Sequence, residues 1–189
     1  PDKAGHNRRP TDYEGPFPSG APGIFIDQAA KLGAKAVFAG AVGDDAFGEV
    51  LRERFKQDGV DLSLIATIAG VPTGSAFVAY NSDGSRDFVF NIAHSAAARF
   101  GVGDGAAAAM IALGLDAFHV SGSSLVDPAM AEAMMTLCGK LHDRGVPLSF
   151  DPNIRKELIG DPGYRKTVDR LLALSAYVLP SEEDAAVLF

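Results

Sequence analysis

Cysteine is nearly absent: Cys138 is the only one in 189 residues. A lone thiol forms no internal disulfide, so the fold must rest on a packed core, and the chain reads as cytoplasmic. Met134, Met135, Leu137 and Leu141 surround Cys138 in a helix-like apolar run, which makes it a core thiol. Long hydrophobic runs are missing too. None approaches the roughly 18 residues of a membrane span, and no signal-peptide pattern opens the sequence. Positive charge is scarce. The formal net charge is −7, and no basic run is longer than a pair, as at Arg8-Arg9. This balance lacks the footprint of a nucleic-acid-binding face. It leaves a phosphate ligand open, because backbone N–H groups bind anions without Lys or Arg.

Several motifs are lacking as well. Gly40-Ala-Val-Gly43 is not a dinucleotide fingerprint, since the third glycine is misplaced and Gly48 falls inside the next helix. This disfavours an α/β oxidoreductase. No Walker lysine loop occurs. His6, His94, His119 and His142 show no metal-ligand spacing, and a strand histidine such as His119 is more often a satisfied interior group. Ser121-Gly122-Ser123 lacks the second flanking glycine of a nucleophile elbow, and no His follows at a strand end. The chain opens without an initiator Met and stops inside a helical pattern at Phe189, so truncation at both ends is expected.

What is present is a βα rhythm. Nearly half the residues are apolar (47%), enough for a sizeable core. Residues 1–18 are polar, rich in Pro and Gly, and aperiodic. Ser19 is the expected N-cap of an amphipathic helix carrying Ile24, Phe25, Ala29 and Leu32, with Pro22 in its first turn and Gly33 after its end. Residues 35–42 read as a strand, Gly43-Asp44-Asp45 as a turn and N-cap, and Phe47 to Phe55 as a helix. Residues 62–68 read as the next strand. Thr73–Ile92 interrupts the rhythm with a hairpin: strands at 75–80 and 86–92 flank an Asn81-Ser82-Asp83-Gly84 turn. Such a ribbon suits a lid or an interface, with Thr73-Gly74 as its hinge. Helices at 104–113, 127–144 and 164–174 then alternate with strands at 117–120, 147–150 and 176–179, and Ser181-Glu182-Glu183-Asp184 starts a last helix.

The stretch Leu148–Arg155 organises the chain. An apolar strand ends in Asp151-Pro152-Asn153, which is turn chemistry. Asp151, Asn153 and Arg155 should emerge at the strand's carboxyl end, where open α/β sheets bind ligands. An acid, an amide and a guanidinium on one turn suit a polyhydroxylated ligand. The plainer alternative is that Asp151 and Asn153 cap the following helix. Further small and polar clusters fall at other strand ends or helix starts: Ser19-Gly20, Gly43-Asp44-Asp45, Ser121-Gly122-Ser123 and Ser181–Asp184. Parallel strands would put them on one rim, a sugar site under the hairpin.

With these motifs in view, the chain resembles the PfkB-type carbohydrate kinases of the ribokinase-like superfamily over its whole length. Pro18-Ser19-Gly20-Ala21-Pro22 through Leu32-Gly33 is similar to the family's Gly-Gly-x-x-x-Asn segment. Gly43-Asp44-Asp45-x-x-Gly48 is similar to its Gly-x-Asp-x-x-Gly region, and Asp151-Pro152-Asn153-x-Arg155 to its Asp-x-Asn-x-Arg turn. Ser181-Glu182-Glu183-Asp184 sits where the family carries Asn-x-x-Glu. The resemblance implies a three-layer αβα sandwich with a small β-hairpin lid. It makes residues 1–189 a single incomplete domain, with its core at about 19–72 and 93–189 and its lid at about 1–18 and 73–92.

It further implies phosphoryl transfer from ATP, with Mg²⁺, to a sugar or sugar-acid hydroxyl. Gly20, Ala21, Phe90, Asp151, Asn153 and Arg155 would face the sugar, with Phe88 beside Phe90 on the lid. Ser181 and Asp184 would lie on the nucleotide side, with Asp184 at the metal. Equally, the phenylalanines could fill a homodimer interface through the lid. The sequence departs from the family pattern at Ile24, where Asn is usual, and at Ser181 and Asp184, which shorten the metal-side motif. The Gly-Ala-Gly-Asp segment with the general base is not in this chain and is expected beyond Phe189, so this stretch alone should be inactive. The substrate guess is fructose-like or 2-keto-3-deoxygluconate-like. Alternatives are a nucleoside kinase and a non-catalytic sugar-binding or regulatory relative.

Overall fold

The structure, a computed structural model, describes residues 12–101, 104–154 and 158–189. The chain divides into two compact units, the first ending at Phe100 and the second beginning at Gly101.

In the first unit, α1 (Ala21–Lys31) precedes β1 (Gly40–Gly43), α2 (Ala46–Gln57) and β2 (Ile65–Ile68). β1 and β2 pair in parallel, from Gly40 opposite Ile65 to Gly43 opposite Ile68. Val42, Phe55, Val60 and Ile65 form the core, and Ile26, Ala30, Phe38, Leu51 and Leu62 pack onto it. Burying side chains of this size supplies most of the folding free energy, about 1.5–3 kcal/mol each. Three expectations need correction. Ser19 does not cap α1: the N-cap is Gly20, whose φ of 93° is a region open to glycine, and no side chain bonds the helix start. The face of α1 is also rotated from the expected one. Ile24 and Leu32 are exposed, and Gly23, Ile26 and Ala30 turn inward. The strand expected at 35–42 is shorter, because only an isolated bridge between Val37 and Asp61 precedes β1. On the surface, Lys31 bonds Asp27 at 2.6 Å and approaches Asp58 at 3.3 Å, tying α1 to α2.

The hairpin forms a sheet of its own. β3 (Ser75–Tyr80) pairs antiparallel with β4 (Arg86–Asn91), from Ser75 opposite Asn91 to Tyr80 opposite Arg86. Every residue of β4 is exposed. Phe88 and Phe90 share one face, their rings stacked nearly parallel with centroids 5.2 Å apart, and the Arg86 guanidinium lies 5.8 Å from the Phe88 ring centroid. On the other face Tyr13 meets Phe77 edge-on, and Ala79 is buried.

In the second unit, β5 (Phe118–Ser121), β6 (Leu148–Asp151) and β7 (Tyr177–Val178) form one parallel sheet with β6 in the middle. The helices are α3 (Asp104–Ala112), α4 (Pro128–His142), α5 (Pro162–Leu174) and α6 (Glu182–Leu188). Leu137, Cys138 and Leu141 of α4, Leu148 and Phe150 of β6, and Val168 and Leu171 of α5 are the buried centre. Cys138 is a core thiol, as expected, and burial pushes its pKa up to about 12. Asp127 caps α4 through the Met130 N–H at 2.9 Å. Among the described residues, no helix is long and apolar enough to cross a membrane.

Candidate functional site

The carboxyl ends of β5, β6 and β7 share one edge of the second unit's sheet, because all three strands run parallel. β6 ends in Asp151, and the chain leaves through buried Pro152 into Asn153, which takes a left-handed φ of 39°. Few non-glycine residues adopt that conformation, and Asn is among the most tolerant of it. Among the described residues the next helix is α5, and Asp161 caps it, accepting from the Tyr164 N–H at 2.8 Å.

The turn is gripped from two sides. On the β5 side, buried Ser121 donates from Oγ toward Asp151 Oδ2 at 3.3 Å and pairs with Ser123 Oγ at 3.0 Å. Beside it, Gly122 packs so close to Pro152 that no side chain fits between them. One cross-strand step earlier, His119 Nδ1 lies 3.0 Å from Ser149 Oγ. Burial lowers the His119 pKa, and the charge of Asp151 works against that shift.

On the β7 side stands Asp184, 6% exposed. Its Oδ1 accepts the Ile154 N–H at 2.8 Å, and its Oδ2 accepts the Ser181 N–H at 3.0 Å and the Ser181 hydroxyl at 2.8 Å. Ser181 Oγ accepts the Asp184 N–H in return, closing a capping box at the start of α6. Burial acts to raise the Asp184 pKa, but N–H donors from Ile154, Ser181 and Asn153 and the Ser181 hydroxyl outweigh it and hold the carboxyl below the ordinary range. Between turn and helix lies a cleft of about 220 Å³, lined by Asp151, Asn153, Ile154, Ser181, Glu183, Asp184 and Val187. It is smaller than the roughly 300–1,000 Å³ of a pocket enclosing a whole ligand, so it fits part of one. Among the described residues, no group of three or more His, Cys, Asp or Glu could hold a metal ion.

The first unit holds Gly20, Ala21 and Phe90. Gly20 is exposed at the head of α1, followed by half-buried Ala21. A β-carbon on Gly20 would meet nothing within 4 Å, so its φ, not close approach, is what calls for glycine. Phe90 is 50% exposed on β4. The Gly43-Asp44-Asp45-x-x-Gly48 motif forms a clasp. Asp45 caps α2 through the Gly48 N–H at 2.9 Å, and also accepts the Thr73 N–H and hydroxyl, both at 2.7 Å. Thr73 Oγ1 in turn accepts the Gly43 N–H at 2.9 Å. A β-carbon on Gly43 would lie 2.4 Å from the Val71 carbonyl oxygen, and one on Gly48 2.5 Å from that of Gly43. Both glycines exist for close backbone approach.

The structure thus brings Asp151, Asn153, Ser181 and Asp184 together around one cleft. Gly20, Ala21 and Phe90 lie in the first unit, and Arg155 lies outside the described residues. The buried hydroxyl of Ser121 and the anchoring role of Thr73 had no individual signal in the sequence, since each acts on a partner 28 or 30 residues away.

The profile of the pfkB family carbohydrate kinases matches residues 20–189, and the chain belongs to that family. Its fold is ribokinase-like. The chain is 33% identical over 170 residues to a fructokinase of Klebsiella pneumoniae, covering 89% of this chain and 54% of that one. Against fructokinase-1 of Oryza sativa subsp. japonica it is 34% identical over 146 residues, 75% of this chain and 43% of the other. Among solved structures, an apo E. coli protein assigned as Ribokinase II superposes with a TM-score of 0.90 at 37% identity, covering 97% of this chain and 58% of that one. A fructokinase of Xylella fastidiosa with bound ATP superposes with a TM-score of 0.76 at 29% identity, covering 90% and 52%. The chain spans about half the length of the curated relatives it matches.

Proposed function

We propose that this chain supplies the sugar-facing turn and part of the nucleotide side of an ATP-dependent carbohydrate kinase, with a fructose-like sugar as acceptor. One observation carries the reading: Asp151 and Asn153 stand at the carboxyl end of a central parallel strand, on a turn gripped from both sides. The fructokinase relatives support the choice of acceptor. Phosphoryl transfer asks little covalent chemistry of a protein. It needs the acceptor hydroxyl in line with the phosphate and the phosphate's charge neutralised.

In this reading Asp151 and Asn153, with Arg155, hold and orient the sugar hydroxyls, and Gly20 and Ala21 present backbone to the sugar. Ser181 and Asp184 form the nucleotide-side wall of the cleft. Mg²⁺, bound with ATP, neutralises phosphate charge. The separate β3–β4 sheet is the lid, with Phe90 toward the sugar; its exposed aromatic face equally suits a homodimer contact. The lid of about 1–18 and 73–92 and the core of the remaining residues then make up one domain. The general base belongs to the Gly-Ala-Gly-Asp segment that this chain lacks. Removing a base costs about 10²–10⁴-fold, so the 189 residues alone turn over no sugar. ADP formation from ATP, measured across a panel of sugars with the full-length protein and with the 189 residues alone, tests both halves. Fructose-dependent ADP release from the full-length protein alone is the expected result.

A further inference from the structure

Asp184 is the acid that the family's metal-side motif nominates, yet its surroundings describe another task. A carboxylate offers about four lone-pair sites. Here the Ile154 N–H, the Ser181 N–H and the Ser181 hydroxyl occupy three, and the Asn153 N–H bears on the same group. The side chain is 6% exposed, so a cation would have to strip donors from a buried group to reach it. Two of those donors belong to the turn that follows Asp151, and two to the head of α6. A carboxylate bonded in this way is a strut between the turn and the helix.

The opposite grip explains why a strut is needed. Gly122 admits Pro152 at a distance where no β-carbon could stand, and Asn153 then sits at a φ of 39°, a conformation that costs free energy unless its surroundings enforce it. The Ile154 N–H ends on Asp184, 30 residues downstream, and the neighbouring Asn153 N–H bears on the same carboxylate.

We infer that Asp184 is a positioning residue: it fixes the backbone of Asn153 and Ile154, so setting the Asn153 side chain toward the acceptor sugar, and is not a direct magnesium ligand. This deepens the kinase reading and rests on it for the word sugar; the strut itself does not. A shorter acid than the family's Glu fits the same task, because Asp at the third helical position closes the capping box while still reaching the Ile154 N–H.

The test has two arms. The first, free of any kinase activity, is amide exchange and ¹H–¹⁵N NMR on the 189-residue chain. Asp184→Asn and Asp184→Glu should speed exchange at Asn153 and Ile154 by about tenfold or more, with the core amides of β6 still protected. Magnesium chloride alone should leave the Ile154 and Ser181 amide resonances of the wild-type chain in place. The second arm is steady-state kinetics of the full-length protein. Asp184→Glu and Asp184→Asn should raise the fructose KM by about tenfold and leave the Mg²⁺ activation constant within about twofold. Resonances of Ile154 and Ser181 that move with Mg²⁺, or Asp184→Glu keeping the wild-type fructose KM while Asp184→Asn loses Mg²⁺ activation, would overturn the inference. A wild-type protein with no sugar-dependent turnover sinks the kinase reading; the exchange arm still decides the strut. Should Asp184→Asn fail to fold, Ser181→Ala removes a single donor, and faster exchange at Asn153 and Ile154 is expected from it too.

Discussion

Gly122 and Pro152 touch backbone to backbone: a β-carbon on Gly122 would lie 1.7 Å from the Pro152 carbonyl oxygen. That distance forbids any side chain at 122 unless the Asp151–Ile154 turn moves. Gly122→Ala should therefore cost about 1–3 kcal/mol, the range of overpacking in a tight core. Gly139 provides the contrast, since it lies inside α4 and its β-carbon would meet nothing within 4 Å. Gly139→Ala should gain about 0.5–1 kcal/mol from helix propensity alone. Urea unfolding of the two variants beside the parent chain checks both signs.

The Asp45–Thr73 clasp should show in stability at acid pH. The Thr73 N–H is the foremost donor that depresses the Asp45 pKa, ahead of the Thr73 hydroxyl and the Gly48 N–H, while burial opposes them. A carboxyl whose folded pKa is below its unfolded value adds stability that is complete above the unfolded pKa and is lost as pH falls through the folded one. The chain should thus lose stability below about pH 4, the ordinary Asp range, and Asp45→Asn should flatten that part of the profile. Thermal melts between neutral and acid pH measure it.

Thr73→Val removes the same clasp from the other side. The substitution keeps the shape and leaves the buried Gly43 N–H without its acceptor, which sits at 2.9 Å in the native chain. An orphaned buried donor costs about 1–3 kcal/mol. Protease cleavage in the Ser75–Asn91 hairpin should also quicken, because Thr73 is where that hairpin is moored to β1 and α2.

Cys138 should be chemically quiet. Its pKa is pushed up to about 12 by burial, and the thiolate is the reactive form. A thiol reagent at neutral pH should label it only as fast as the chain unfolds, so labelling and unfolding should share one denaturant midpoint.

Much of this was legible from residues alone, for reasons that can be named. The cap at Asp45 and the helix behind it followed from local chemistry: an acid before an apolar stretch at helical spacing. The β3–β4 hairpin followed from alternation around an Asn-Ser-Asp-Gly turn. Strand starts did not follow. Residues 62–64 are apolar enough to continue a strand, but Asp61 accepts the Ser63 N–H at 2.7 Å and turns the chain before Ile65. Ser19 looked like a cap because its side chain could serve, while the backbone instead used Gly20. The bond from the Ile154 N–H to Asp184, 30 residues away, leaves no mark in the local sequence. The strand end bearing Asp151 and Asn153 could be read because turn chemistry and an apolar run meet there.

The most direct test of the account is steady-state kinetics of the full-length protein with Asn153→Ala and Asp151→Asn, titrating fructose and ATP separately. If the turn faces the sugar, the fructose KM rises about tenfold or more, equivalent to about 1.4 kcal/mol, while the ATP KM stays within about twofold. Variants that shift only the ATP KM, or a wild-type protein that consumes ATP without regard to any sugar, would contradict it.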